Sequence, residues 1–249
     1  GPRPIGAPAE WILWRAVNAN FRLGTPAAAR ALSVFAAKSD APAGARVEAL
    51  NDLAEWAKPN NLDHITTLYR PLTPRDPKPA RDAAAEIVQA VIQDAPGNVQ
   101  TAAANLMRTY GLGDSETLAG ALTDRRASPE VRVAALNSLA DRKDPRLSEA
   151  LQTALKDRSE LVRTEAILIL GIQPGGSARI AGLLESGSIA EKQAVLKALG
   201  SSTEAETLAV LSRWMDQMLA KQVPAELQLE LLEAAGKHPD TSAGEKLRQ

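Results

Sequence analysis

The chain has 249 residues, with 29 basic and 30 acidic side chains for a net charge of −1, no cysteine, and only four Trp, two Tyr and two Phe. Lack of cysteine excludes disulfides, thiolate nucleophiles, thiolate zinc sites and covalent haem on this stretch, and leaves the compartment open. Balanced charge argues against tracking a nucleic-acid backbone, and no apolar run approaches the ~20 residues that cross a bilayer.

Apolar residues make up 45% of the chain, and Ala and Leu supply most of them, which suits closely stacked helices rather than strands. The chain opens Gly1-Pro2, the remnant a cleaved affinity tag leaves, so the expectation is a segment of a longer protein. The first helix carries Trp11 and Trp14, three residues apart and therefore on one side. Two readings stand: the pair closes the first layer of a helical stack, or it anchors a partner.

Arg46 then opens a pattern in which Ala49, Leu50 and Leu53 follow at offsets of three, four and seven, the spacing of one helix face. The next stretch, 58–79, holds Pro59, Pro71, Pro74, Pro77 and Pro79, which forbid regular helix; a short helical turn is expected around Asp63 to Leu68. The pattern resumes at Gln100 (Ala103, Ala104, Met107) and Arg132 (Ala135, Leu136, Leu139). It continues at Arg163 (Ala166, Ile167, Leu170), Lys192 (Val195, Leu196, Leu199) and Gln228 (Leu231, Leu232, Ala235). Anchors 100, 132, 163, 192 and 228 lie 32, 31, 29 and 36 residues apart, room for two helices of ~12 residues and two turns. Partner helices are expected over Thr117–Leu122, Leu147–Leu155, Ala178–Leu184 and Glu204–Leu219, with Ser128-Pro129 as a cap and first helical residue.

Ser128-Pro129-Glu130-Val131-Arg132-Val133-Ala134-Ala135-Leu136, and Asp157 followed by Arg163, resemble HEAT repeats. The fold expected is therefore all-α: a single HEAT-like α-solenoid of about six helix pairs over 1–249, with N-terminal helices over 9–57, the Pro-rich insertion at 58–79 and regular repeats over 80–249. The resemblance implies that Asp157 and Arg163 join neighbouring repeats, with Arg46 and Arg132 as their counterparts.

A second resemblance covers residues 9–110. It rests on Ala19-Asn20-Phe21-Arg22-Leu23-Gly24, Arg46-Val47-Glu48-Ala49-Leu50, Leu53-Ala54-Glu55-Trp56-Ala57-Lys58-Pro59, Leu62-Asp63-His64 and Tyr69-Arg70-Pro71-Leu72. These resemble the helical segment of large multidomain dehydrogenases from planctomycete and verrucomicrobial bacteria, in which a propeller-like domain precedes the helices and a haem-binding cytochrome c domain follows. The resemblance implies an exported or periplasmic protein in which this piece spaces or docks redox domains. The family's haem motif is absent here, so no haem chemistry carries over.

Chemistry-bearing patterns are few. His64 follows Asp63 in the insertion near Thr66 and Thr67, an adjacency that points to packing or capping more than to ligation; His238 precedes Pro239 at a helix end. Glu226, Glu230 and Glu233 form a solvated stripe, and Pro174-Gly175-Gly176-Ser177 lacks the spacing of a phosphate loop. No catalytic residue, metal site or cofactor is expected.

Partner contacts are expected at Trp11, Trp14, His64, Tyr69, Arg70 and Arg75, because insertions emerge from solenoids where binding occurs and Trp, Tyr and Arg dominate interface energetics. The expectation is a non-catalytic scaffold or spacer whose partners are proteins or neighbouring domains of the same chain, with no nucleic acid and no membrane insertion. The alternative is an enzyme on this fold, like the HEAT-like alkylpurine DNA glycosylases or bilin lyases.

Overall fold

The structure, a computed structural model, describes residues 8–95 and 97–248. Among these, fifteen helices form and no strand. The first seven are α1 (Pro8–Leu23), α2 (Pro26–Ala37), α3 (Ala43–Ala54), α4 (Lys78–Asp94), α5 (Gly97–Tyr110), α6 (Ser115–Thr123) and α7 (Pro129–Asp141). Then come α8 (Leu147–Ala154), α9 (Glu160–Gly171), α10 (Gly176–Ile180), α11 (Leu183–Ser186) and α12 (Ile189–Leu199). The last three are α13 (Ala205–Leu219), α14 (Ala225–Gly236) and α15 (Ser242–Leu247). No described helix is long and apolar enough to cross a membrane.

The chain divides into two compact units, one ending at Asp144 and one beginning at Pro145. In the first, α1 packs on the pair α2/α3, and α4/α5 and α6/α7 follow; α3 stacks on α5, α5 on α7, and α2 on α4. In the second, α8/α9, α10–α11/α12 and α13/α14 repeat the arrangement; α9 stacks on α12 and α12 on α14, while α13 packs on α15. This is the expected all-α, HEAT-like fold, with six helix pairs.

The repeated pattern has a physical basis in both its polar and its apolar positions. Each anchor is the fourth residue of its helix: Arg46 in α3, Gln100 in α5, Arg132 in α7, Arg163 in α9, Lys192 in α12 and Gln228 in α14. Five of the six donate back to a main-chain carbonyl at the end of the preceding helix or in the turn after it. Arg46 Nε reaches Ala36 O at 2.8 Å, Gln100 Nε2 reaches Ile92 O at 2.8 Å, and Gln228 Nε2 reaches Val223 O at 3.1 Å. Arg132 Nη1 meets Ala127 O, and Arg163 Nη1 meets Asp157 O at 2.8 Å. A helix end leaves four carbonyls without an intrahelical partner, so these side chains close the turn of each pair. The apolar residues at offsets three, four and seven are buried at every anchor, except that Leu232 is half-buried.

Arg163 also reaches Glu191 of α12, Nε to Oε1 at 2.6 Å, so it links one pair to the next. Glu191 at the same time completes the capping box with Ser188 that starts α12. Asp157 Oδ1 accepts from Ser159 N at 2.7 Å, in the turn before α9.

One expectation is corrected: the helix over Ala178–Leu184 is broken into α10 and α11, with Gly182 in the break between them. The short helical turn around Asp63 to Leu68 is present as a single turn, Thr67 N donating to Asp63 O at 2.8 Å. It lies at the tip of a tight hairpin in which Leu62 and Tyr69 form an isolated antiparallel bridge and Asp63 N donates to Leu68 O at 2.9 Å.

Gly171 shows how closely α9 approaches its neighbours: a Cβ there would stand 2.5 Å from Ala198 Cβ and 2.9 Å from Ile180 Cδ1. Gly171→Val is expected to lower unfolding free energy by about 1–3 kcal/mol through overpacking. Gly120→Val, where nothing stands within 4 Å, should show no such loss in the same denaturant titration.

Candidate functional site

The residues between α3 and α4 fold back over α1 and α3, held by three polar centres. The first is Asp63, whose Oδ1 accepts from Ile65 N at 3.0 Å and Thr66 N at 2.9 Å, an Asx turn that sets the hairpin. Thr67, at φ 58°, completes the reversal. Asn18 donates to the same carboxylate from α1, and Arg22 and Arg70 stand 3.5 and 3.6 Å from it. Burial pushes the Asp63 carboxyl up, but the Thr66, Ile65 and Asn18 hydrogen bonds outweigh this and bring its pKa down to about 2.

The second centre is Arg75. Its Nε donates to Trp56 O at 2.8 Å and its Nη1 to Phe21 O at 2.7 Å. The guanidinium lies 3.9 Å from the Trp56 ring centroid and 4.8 Å from that of Phe21. Gly24, at φ +65°, leaves the room: a Cβ there would fall 2.3 Å from Arg75 Nη1.

The third is His64. Its ring stacks on Phe21 at 5.3 Å, and its Nδ1 lies 2.9 Å from Asp52 Oδ1 and 3.1 Å from Glu48 Oε1. Its Nε2 faces Glu55 Oε2 at 3.6 Å. Glu48 and Asp52 of α3 and Glu55, the residue that caps its C-terminus, follow one another at four and three residues and so share a face. Nδ1 has one proton for two carboxylates; the directed hydrogen bond goes to Glu48, and Asp52, with no solvent exposure, has neither oxygen hydrogen-bonded. Asp52, Glu48 and Glu55 together raise the His64 pKa to about 11, and burial pushes Asp52 up to about 6.

Between α1 and the hairpin lies a cleft of roughly 340 Å³ in which Arg15, Arg22 and Arg70 surround Asp63. Trp11, 36% exposed, lies one turn before Arg15, and Tyr69, 71% exposed, adjoins Arg70. Trp14 is half-buried, close to the start of α3 beside Gly44. The expected contact residues therefore separate into two groups. Trp11, Tyr69 and Arg70 remain open to a partner, whereas Trp14, His64 and Arg75 are engaged within the unit. The exposed or half-buried Glu226, Glu230 and Glu233 lie on the solvent side of α14.

A second cleft, about 560 Å³ beside Gln89, Gln93 and Gln100, has Asp124 and Arg126 on its wall, and these pair with each other at 3.5 Å. Residues 84–168 and 115–186 match the family model for HEAT repeats. No curated protein matches the chain. Among solved structures, the complex of CpcE and CpcF of phycocyanin lyase from Nostoc sp. PCC7120 resembles it at 13% identity and a TM-score of 0.48, over 95% of this chain and 96% of that one. The hairpin and its three polar centres precede the HEAT match, in residues 18–75.

Sequence reading missed Glu48, Asp52 and Glu55 as partners of His64, having weighed only its neighbours in the chain. Their spacing was a visible signal, but a helical acidic stripe is usually solvated.

Two expectations follow. Gly24→Ala displaces the Arg75 guanidinium and strains a left-handed position, so protease cleavage within 58–77 should rise at least several-fold while far-UV circular dichroism is kept. The raised pKa values of Asp52 and His64 both mean that the folded chain holds protons the unfolded chain releases. Their stabilisation is present at low pH; Asp52's fades from its ordinary 3.8 to about 6 and His64's from 6.5 to about 11. In chelator-containing buffer, the stability advantage of wild type over His64→Gln should shrink steadily from about pH 7 to pH 9.5 in urea titrations.

Proposed function

We propose that this chain is a non-catalytic docking scaffold whose principal contact face is the hairpin and α1. The observation that carries this reading is the cationic cleft of Arg15, Arg22 and Arg70, bordered in sequence by exposed Trp11, Leu68 and Tyr69. Trp, Tyr and Arg are the side chains that dominate interface energetics, and three guanidiniums against one carboxylate favour an acidic partner segment. The helix pairs α2/α3 and α4/α5 of the same unit supply a stiff support.

The partner is a neighbouring domain of the same longer protein, which residues 9–110 suggest by their resemblance to multidomain dehydrogenases carrying a cytochrome c domain. On that reading this piece positions redox domains and performs no electron transfer itself. Purifying the full-length gene product from its own host tests it: a larger, exported protein with a haem absorption band supports the reading. A product of this length without a chromophore overturns it.

The docking face has its own check. Trp11→Ala and Arg70→Ala should each weaken partner capture by about 1–3 kcal/mol in calorimetry or pull-down titration, with thermal unfolding unchanged. If both leave affinity intact while deletion of one helix pair alters function, the chain acts as a spacer instead.

A further inference from the structure

We propose that Glu48, Asp52 and His64 bind one divalent transition-metal ion of the zinc type, with Glu55 as the outer carboxylate that orients the imidazole. The cluster lies apart from the arginine cleft, and the proposal does not depend on the docking role.

Four observations converge. One ligand atom from each of Glu48, Asp52 and His64 lies within 4.8 Å of the others. Zinc bonds of about 2.0–2.1 Å place neighbouring ligand atoms roughly 3.3 Å apart in a tetrahedral site. The distances from His64 Nδ1, 2.9 Å to Asp52 and 3.1 Å to Glu48, need open by only a few tenths of an ångström for an ion to replace the Nδ1 proton.

Next, Asp52 is a fully buried carboxylate with neither oxygen hydrogen-bonded, and it is aimed at the cluster. A buried carboxylate left without directed donors is costly, and a cation held on Oδ1 removes that cost.

Third, the imidazole stands among carboxylates: Glu48, Asp52 and Glu55 all lie within 3.6 Å of its ring nitrogens, and the Phe21 ring covers one face.

Last, Glu55 meets the opposite ring nitrogen. Ligating histidines commonly direct their other N–H to a carboxylate, which fixes tautomer and ring orientation. Glu55 is 44% exposed at the side chain, so the Nε2 edge of the ring, opposite the ion, lies toward solvent. An imidazole nitrogen with two carboxylates suits Zn²⁺ over Mg²⁺, which prefers oxygen alone. In the binding step the ion takes the Nδ1 lone pair and one proton leaves the imidazolium for solvent.

The test is titration of the chelator-stripped full chain with Zn²⁺ by calorimetry in two buffers of different ionisation enthalpy, alongside NMR of the two histidine rings. Expected are one saturable site per chain, about one proton released per ion, movement of His64 ring signals with those of His238 unmoved, and a higher unfolding temperature. Asp52→Asn and His64→Gln should each weaken binding at least tenfold, and Glu226→Gln should leave it unchanged. The ring signals are read on the wild-type chain, so loss of fold in a variant leaves the test intact. Absence of saturable binding, or binding that leaves His64 signals in place, overturns the proposal and makes the cluster an ion-pair lock alone.

Discussion

The architecture depends on a recurring constraint, the closing of five of the six helix pairs by a long polar side chain at the fourth residue of the second helix. At Arg46, Gln100, Arg132, Arg163 and Gln228 that side chain returns to a carbonyl which the preceding helix cannot satisfy itself. The same helices bury Ala, Leu, Ile or Val one turn further on, so polar closure and apolar stacking arise from one stretch of sequence. Small residues matter as much as large ones: Gly171 and Ala198 let α9 and α12 approach to a distance that a larger side chain would forbid.

The hairpin between α3 and α4 is governed by charge rather than by apolar burial. Asp63, His64 and Arg75 each satisfy groups contributed by α1 or α3, and each is shielded from water on at least one side. Buried ion pairs add little net stability over a well-packed apolar contact, yet breaking one partner is costly because a charge is left behind. Such a device selects one conformation for a segment whose prolines prevent regular structure. It also explains why Arg22 and Arg70 stand together at the mouth of a cleft, both held near the Asp63 carboxylate.

A rigid hairpin with exposed aromatic side chains suits a docking platform. Trp11 and Tyr69 retain exposed surface although the polar groups beneath them are engaged. The division between engaged and available side chains separates Arg70 from Arg75, two residues of the same type in the same insertion. Arg75 is spent on internal carbonyls and aromatic faces, whereas Arg70 keeps more than half its side chain in solvent.

Sequence by itself determined the helix pairs, because offsets of three, four and seven permit only one buried face, and because proline and glycine mark where helices stop. It also exposed the insertion, since Pro59, Pro71, Pro74 and Pro77 interrupt regular helix, whereas Pro79 falls in the first turn of α4. Only tertiary structure decided what the insertion does. The hairpin built around that short turn depends on Asp63 receiving main-chain and α1 donors, which sequence spacing does not encode. His64 meets Glu48, Asp52 and Glu55 only after the chain has reversed over α3, across 16, 12 and 9 residues. Folding brings those groups within bonding distance, and their chemistry follows from that proximity rather than from any local motif.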